Sequence, residues 1–127
     1  MALILVAEDA PELADMLKKV LESRGHQVAV AADGVEMIEK AKSLRPKLII
    51  SDIMMPGAYG SAAFKTLQDD PYTKGTPVIF LTAVSPEQAA RVVPEAPNIL
   101  TLHKPVDIMS LIGAVNKMLG AQPVNPK

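Results

Sequence analysis

Five residues of this 127-residue chain are of types that could do chemistry together: Glu8, Asp9, Asp52, Thr82 and Lys104. Each stands at or just beyond the end of a short apolar run. Ala2–Ala7 leads to the acidic pair, Leu48–Ser51 to Asp52, Val78–Leu81 to Thr82, and Ile99–Leu102 to His103-Lys104. In open α/β sheets ligands bind outside the carboxyl ends of the strands, so position alone makes these places site candidates. Three carboxylates brought together repel, and a cation must offset them. A hard divalent ion suits an all-oxygen set, and Mg²⁺ takes a few such ligands while keeping some of its waters. A Lys and a hydroxyl beside that ion suit the oxygens of a phosphoryl group, and an Asp carboxylate can be the nucleophile that accepts one. Taken singly the residues read blandly: Asp52 as a turn or cap, Glu8-Asp9 as charge favouring a helix N-terminus, Thr82 as a strand residue, Lys104 as solvated surface. Taken together, those bland readings require repeated coincidence at one sheet edge.

The elements that must position these residues can be read from period and punctuation. Ala2–Ala7 and Leu48–Ser51 are apolar without alternation, as in strands buried on both faces. His26–Ala31, Val78–Thr82 and Ile99–Leu102 read as three further strands. Pro11 suits the first turn of a helix carrying Leu13, Leu17, Val20 and Leu21, and Gly25 stops it. Asp33-Gly34 opens a second helix with Val35, Ile38 and Ala41, ending before Arg45-Pro46. Gly60 or Ser61 opens a third through Phe64 and Leu67. Ser85-Pro86-Glu87-Gln88 starts a short fourth as a capping box. Asp107 caps the last, with Ile108, Leu111, Ile112, Val115 and Leu119 on one face and Gly120 at its end. Five strands alternating with five helices predict βαβ units, a parallel sheet and right-handed crossovers. One domain over residues 1–120 is expected, with 121–127 a short frayed tail.

Composition removes several function classes. Hydrophobic residues make up 49% and charged residues 21%, the balance of a packed globular chain. A net charge of −1 with no Lys/Arg run supplies no basic patch for nucleic acid. The absence of Cys removes disulfides, thiol nucleophiles and Cys-based metal sites. No apolar run approaches the roughly 20 residues of a membrane span, and Met1–Ala7 lacks the flanks of a signal peptide. The cytoplasm is the expected address. His26 and His103 have no second ligand at metal spacing and read as core-edge or solvated histidines.

Four motifs in combination resemble those of response-regulator receiver domains of two-component signalling: Glu8-Asp9, Ser51-Asp52-Ile53-Met54-Met55-Pro56-Gly57, Leu81-Thr82-Ala83 and Lys104-Pro105-Val106-Asp107. The resemblance covers Ala2 to about Leu119. It implies a flavodoxin-like doubly wound sheet of order 2-1-3-4-5, with Asp52 accepting a phosphoryl group from a histidine kinase or histidine phosphotransfer protein. It also implies Mg²⁺ held by Asp9, Asp52 and the backbone carbonyl of Met54, with Glu8 acting largely through water. Thr82 and Lys104 would contact the phosphoryl group, Ala83 would be small enough to let its N–H approach, and the Lys104–Pro105 peptide would be cis. Such a chain assists its own phosphorylation and dephosphorylation without being a turnover enzyme. It signals by protein contact as a monomer or weak dimer, without contacting nucleic acid or membrane directly.

Three departures from the family pattern stand out: Thr101 where an aromatic switch residue is usual, Pro97-Asn98 for Gly-Ala, and Tyr59 for Asp. Met54 and Val84, two residues after Asp52 and Thr82, are apolar and unable to orient a water, so slow loss of phosphate is expected. Two alternatives keep the fold: an interaction module that is never phosphorylated, and a receiver cut from a larger hybrid kinase or response regulator. Two others fit poorly. A nucleotide binder would want a Gly-rich loop where Glu8-Asp9-Ala10-Pro11-Glu12 stands, and a haloacid-dehalogenase-type phosphatase would want Asp in place of Met54.

Overall fold

The computed structural model describes residues 2–52, 65–66, 69–71, 73, 75–83 and 98–120. These form five strands, β1 (Leu3–Ala7), β2 (Gln27–Ala31), β3 (Leu48–Asp52), β4 (Val78–Thr82) and β5 (Ile99–His103). Three helices accompany them: α1 (Pro11–Ser23), α2 (Gly34–Leu44) and α3 (Ile108–Gly120). The sheet is wholly parallel, as the alternation of elements predicts, and its order β2-β1-β3-β4-β5 is the one the family resemblance implies. Of the expected third helix only residues 65–66 are described, and they are helical; the fourth helix, Met54, Tyr59, Val84, Pro97 and the 121–127 tail lie outside the described residues.

The unbroken apolar runs of β1, β3 and β4 have a simple cause: these strands bury both faces, while the edge strands β2 and β5 are only partly buried. On β1, Leu5 and Ala7 pack with Ile49, Phe80 and Met37 of α2 on one side. Ile4 and Val6 pack with Ile50, Leu81 and Leu17 of α1 and Leu111 of α3 on the other. A parallel sheet covered on both sides needs no polar alternation. β3, β1 and β4 fill the middle of the sheet, and β3 is buried along its whole length.

Helix ends follow local chemistry. α1 closes in a Schellman motif, with the N–H of Gly25 donating to Glu22 O at 3.0 Å and that of His26 to Leu21 O at 3.2 Å. Gly25 takes φ 91°, a left-handed conformation that side chains rarely tolerate. Asp33 caps α2 by accepting the Glu36 N–H at 2.8 Å, and Asp107 caps α3 by accepting that of Ser110 at 2.8 Å. Two helix faces differ from the expected ones. On α2, Val35 is 54% exposed while Met37 joins Ala41 inside, and on α3, Ile108 is 43% exposed while Ala114 and Met118 are buried. Both expected faces began at the first apolar residue of the helix, whereas first-turn side chains there lie outside the stripe that meets the sheet.

Candidate functional site

Parallel register and equal strand length bring the strand ends to one edge, where the site assembles. β1 ends at Ala7 beside Ser51, so Glu8-Asp9 emerge next to Asp52 at the end of β3. Carboxylate oxygens of Glu8, Asp9 and Asp52 all lie within 4.8 Å of one another. Lys104, just past β5, reaches back over two strands' width and puts Nζ 3.0 Å from Asp52 Oδ2 and 3.4 Å from Glu8 Oε1. The Lys104–Pro105 peptide is cis, as expected. Four of the five residues singled out by type and spacing therefore meet at one point.

The environments differ along the cluster. Glu8 is buried at 2% exposure and Asp52 at 8%, while Asp9 is open to solvent. Glu8 Oε2 accepts the Ala10 N–H at 3.1 Å, where α1 begins. Its Oε1 is buried without a hydrogen bond among the described residues, the Lys104 ammonium being an ion-pair neighbour rather than an aligned donor. Burial holds the Glu8 carboxyl above the ordinary carboxylate range, against the pull of the Ala10 N–H, with the charge of Asp52 adding to the rise and that of Lys104 opposing it. Burial also disfavours charge on Lys104, but the hydrogen bond and charge of Asp52, followed by the charge of Glu8, outweigh it and hold the ammonium above its usual value. The buried Glu8 side chain is thus bonded to the chain at Ala10 and paired with Lys104.

Thr82 closes β4 and is 1% exposed, and its carbonyl accepts the Lys104 N–H at 2.7 Å. That backbone bond seats Lys104 beside β4. Ala83 follows and is exposed. Ser51 was quoted in a motif but given no role. It is fully buried, and its hydroxyl donates to the Asp52 carbonyl at 2.9 Å. A lone hydroxyl inside an apolar buried run was the signal for it, since a buried polar group needs a partner. Thr101 is half-buried and lies in register beside Phe80, which is fully buried. His103 is exposed at the end of β5, and half-buried His26 accepts the Ala2 N–H on Nδ1 at 3.3 Å, as core-edge and solvated histidines would.

The acidic cluster suits a small divalent ion on its own geometry. Three carboxylates offer one oxygen each within a single coordination sphere's reach, and one buried oxygen, Glu8 Oε1, lacks a hydrogen bond among the described residues. Among the described residues a single ammonium, that of Lys104, is paired with the cluster, and one positive charge cannot neutralise three carboxylates.

With fold and cluster in place, the chain defines itself as an α/β acidic-site protein of the doubly wound kind. It belongs to the response regulator receiver domain family, whose model it matches over residues 4–116. It is thus a receiver domain of two-component signalling. It is 35% identical to Protein PilH of Pseudomonas aeruginosa, an alignment covering 94% of this chain and 98% of that protein. It is 40% identical over 80 residues to the DNA-binding response regulator MtrA of Mycolicibacterium smegmatis, spanning only about a third (34%) of that protein's length. Among solved structures it resembles the receiver domain of the sensor histidine kinase PA1611 of Pseudomonas aeruginosa, described with a magnesium ion coordinated in its active-site cleft. There the TM-score is 0.87 at 25% identity, covering 94% of this chain and 98% of that one. Among the described residues no helix is long and apolar enough to cross a membrane.

Proposed function

We propose that Asp52 is the phosphoacceptor of a cytoplasmic signalling module, that Glu8, Asp9 and Asp52 hold Mg²⁺, and that the donor is a phosphohistidine on a kinase or phosphotransfer protein. The observation that carries this reading is the placement of Lys104 Nζ 3.0 Å from Asp52 Oδ2, inside a cluster of three carboxylates. An Asp52 oxygen attacks phosphorus, a P–O bond forms as the P–N bond to imidazole breaks, and the imidazole leaves. Lys104 is already held at the acceptor and turns to a phosphoryl oxygen as charge builds there. Thr82, at the end of the neighbouring strand, supplies a hydroxyl and Ala83 a backbone N–H, both being donors suited to phosphoryl oxygens. The fixed strand ends supply orientation, the larger part of what phosphoryl transfer asks of a protein. Mg²⁺ held by the three carboxylates, with the Met54 carbonyl as a further ligand, would neutralise negative charge on the donor and acceptor oxygens. The magnesium described for the PA1611 receiver domain supports that ion.

Intact mass spectrometry after incubation with acetyl phosphate and Mg²⁺ tests this reading. One phosphoryl group should appear on the wild-type chain and none on Asp52→Asn. Equal labelling of the Asn variant would remove Asp52 from its role. A wild-type chain that takes up nothing would point to the unphosphorylated interaction module.

A further inference from the structure

Beyond the C-terminal end of α1, away from the carboxylates, a cavity of about 300 Å³ opens between α1, the start of β2 and α3. It is lined by Leu21, Arg24, His26, Ile112, Val115 and Asn116. The acidic cluster precedes Pro11, so the 13 residues of α1 separate the two places, roughly 20 Å at the rise of a helix. The volume lies at the small end of the range for ligand sites.

The lining divides by chemistry. Leu21 and Val115 are 1% and 2% exposed and, with Ile112, make an apolar floor. Arg24, His26 and Asn116 bring hydrogen-bond donors. Among the described residues the Arg24 guanidinium has no acidic partner, the ion pairs being made by Lys19, Lys40, Lys42 and Lys104. The His26 ring accepts the Ala2 N–H on Nδ1, so the neutral ring carries its proton on Nε2 as a further donor. Among the lining residues the cavity therefore offers the fixed positive charge of Arg24, two neutral donor groups and an apolar floor.

We propose that this cavity binds a small monocarboxylate with a short aliphatic tail. The planar guanidinium of Arg24 matches a carboxylate in geometry and sign, a pairing that is bidentate when aligned. His26 and Asn116 supply neutral donors to its oxygens, and the tail covers Leu21, Ile112 and Val115. A phosphate dianion fits worse, because one guanidinium leaves half its charge uncompensated beside apolar side chains. Bound there, the ligand bridges α1 and α3, which cover the same sheet face.

The test is a titration of the ¹⁵N-labelled full chain with sodium butyrate at neutral pH, followed by amide shifts. Acetate, n-butylammonium and inorganic phosphate serve as comparison probes. Butyrate should give saturable shifts centred on the lining residues, acetate weaker ones and n-butylammonium none. Arg24→Gln, its spectrum still that of a folded chain, should weaken butyrate at least about tenfold, the lower end for a charge-assisted hydrogen bond. Asn116→Leu should weaken it too and serves if the first variant misfolds. Shifts that fail to saturate, that centre elsewhere or that survive both substitutions would overturn the proposal. So would phosphate binding more tightly than butyrate. None of these readouts depends on phosphoryl uptake at Asp52.

Discussion

Among the described residues Lys104 is the one cation placed against two buried carboxylates, and its removal should be felt before any phosphoryl group arrives. Lys104→Met leaves Glu8 and Asp52 repelling each other at low exposure. Because the Lys104 side chain keeps 25% of its exposure, the loss belongs at the low end for a broken pair, about 1–2 kcal/mol. Urea unfolding in chelator should show it, and an unchanged midpoint would mean that the pair contributes nothing. Asp9 is the exposed carboxylate of the cluster, so the proposed Mg²⁺ site makes a separate prediction. Millimolar Mg²⁺ should raise the wild-type Tm through ligand linkage, and Asp9→Ala should lose most of that rise. Equal rises in both chains would remove Asp9 as a ligand. His26 carries a pH prediction. Burial holds its folded pKa below the ordinary 6.5, so the fold prefers the neutral ring that accepts the Ala2 N–H. The contribution is complete above pH 6.5 and declines as pH falls from there toward the lower folded value, because the unfolded chain takes up its proton first. His26→Asn keeps a short acceptor and should flatten that part of the wild-type stability profile. Parallel profiles for the two chains would contradict it.

At the scale of elements, α2 is tied to the exposed edge of the sheet by side chains that sequence periodicity does not reveal. Glu36 Oε1 accepts the Ala32 N–H at 2.6 Å, and Lys40 Nζ bonds both Glu36 Oε2 at 3.2 Å and the Val30 carbonyl at 2.5 Å. β2 is an edge strand, and Lys40 masks one of its carbonyls as edge lysines do. The other end of α2 closes on Arg45 at φ 51°, a conformation that Gly adopts without the Cβ penalty. Arg45→Gly should therefore gain up to about 1 kcal/mol, the left-handed cost of a side chain exceeding the extra backbone entropy of Gly. Chemical unfolding will register that gain, and a clear loss would show that contacts of the Arg45 side chain outweigh the strain. Helix starts and stops were legible because Pro11, Gly25, Asp33 and Asp107 act locally, on backbone groups within a few residues. Helix faces were less legible. Val35 and Ile108 are apolar and fit the period, but which stripe meets the sheet depends on crossing geometry that no local signal carries.

Across the whole molecule, the parallel sheet and the meeting of Glu8, Asp9, Asp52 and Lys104 were legible from the alternation of elements, while the strand order came from the family resemblance. A parallel sheet sends every strand end to the same edge, so spacing along the chain becomes proximity in space. Ser51 carried a signal only as a lone hydroxyl in a buried run, and the partner it takes, like the role of the Ala10 N–H, was not legible, because both depend on which atoms burial leaves in need of a partner. The same sheet separates two cores that share every strand, and β3 feeds both: Ile49 faces the α2 side, Ile50 the side of α1 and α3. Both side chains are fully buried and sit two or three residues before Asp52. Ile49→Ala and Ile50→Ala should each cost about 2–5 kcal/mol, the range for an emptied core site. Neither should divide unfolding into two steps, since the strands that carry one core carry the other. Far-ultraviolet circular dichroism and amide exchange should then report one coincident transition in both variants. If Ile50→Ala released α1 and α3 while α2 and its side of the sheet stayed protected, the two faces would be separate folding units, and the strand edge holding the carboxylates would have to be supported by one of them alone.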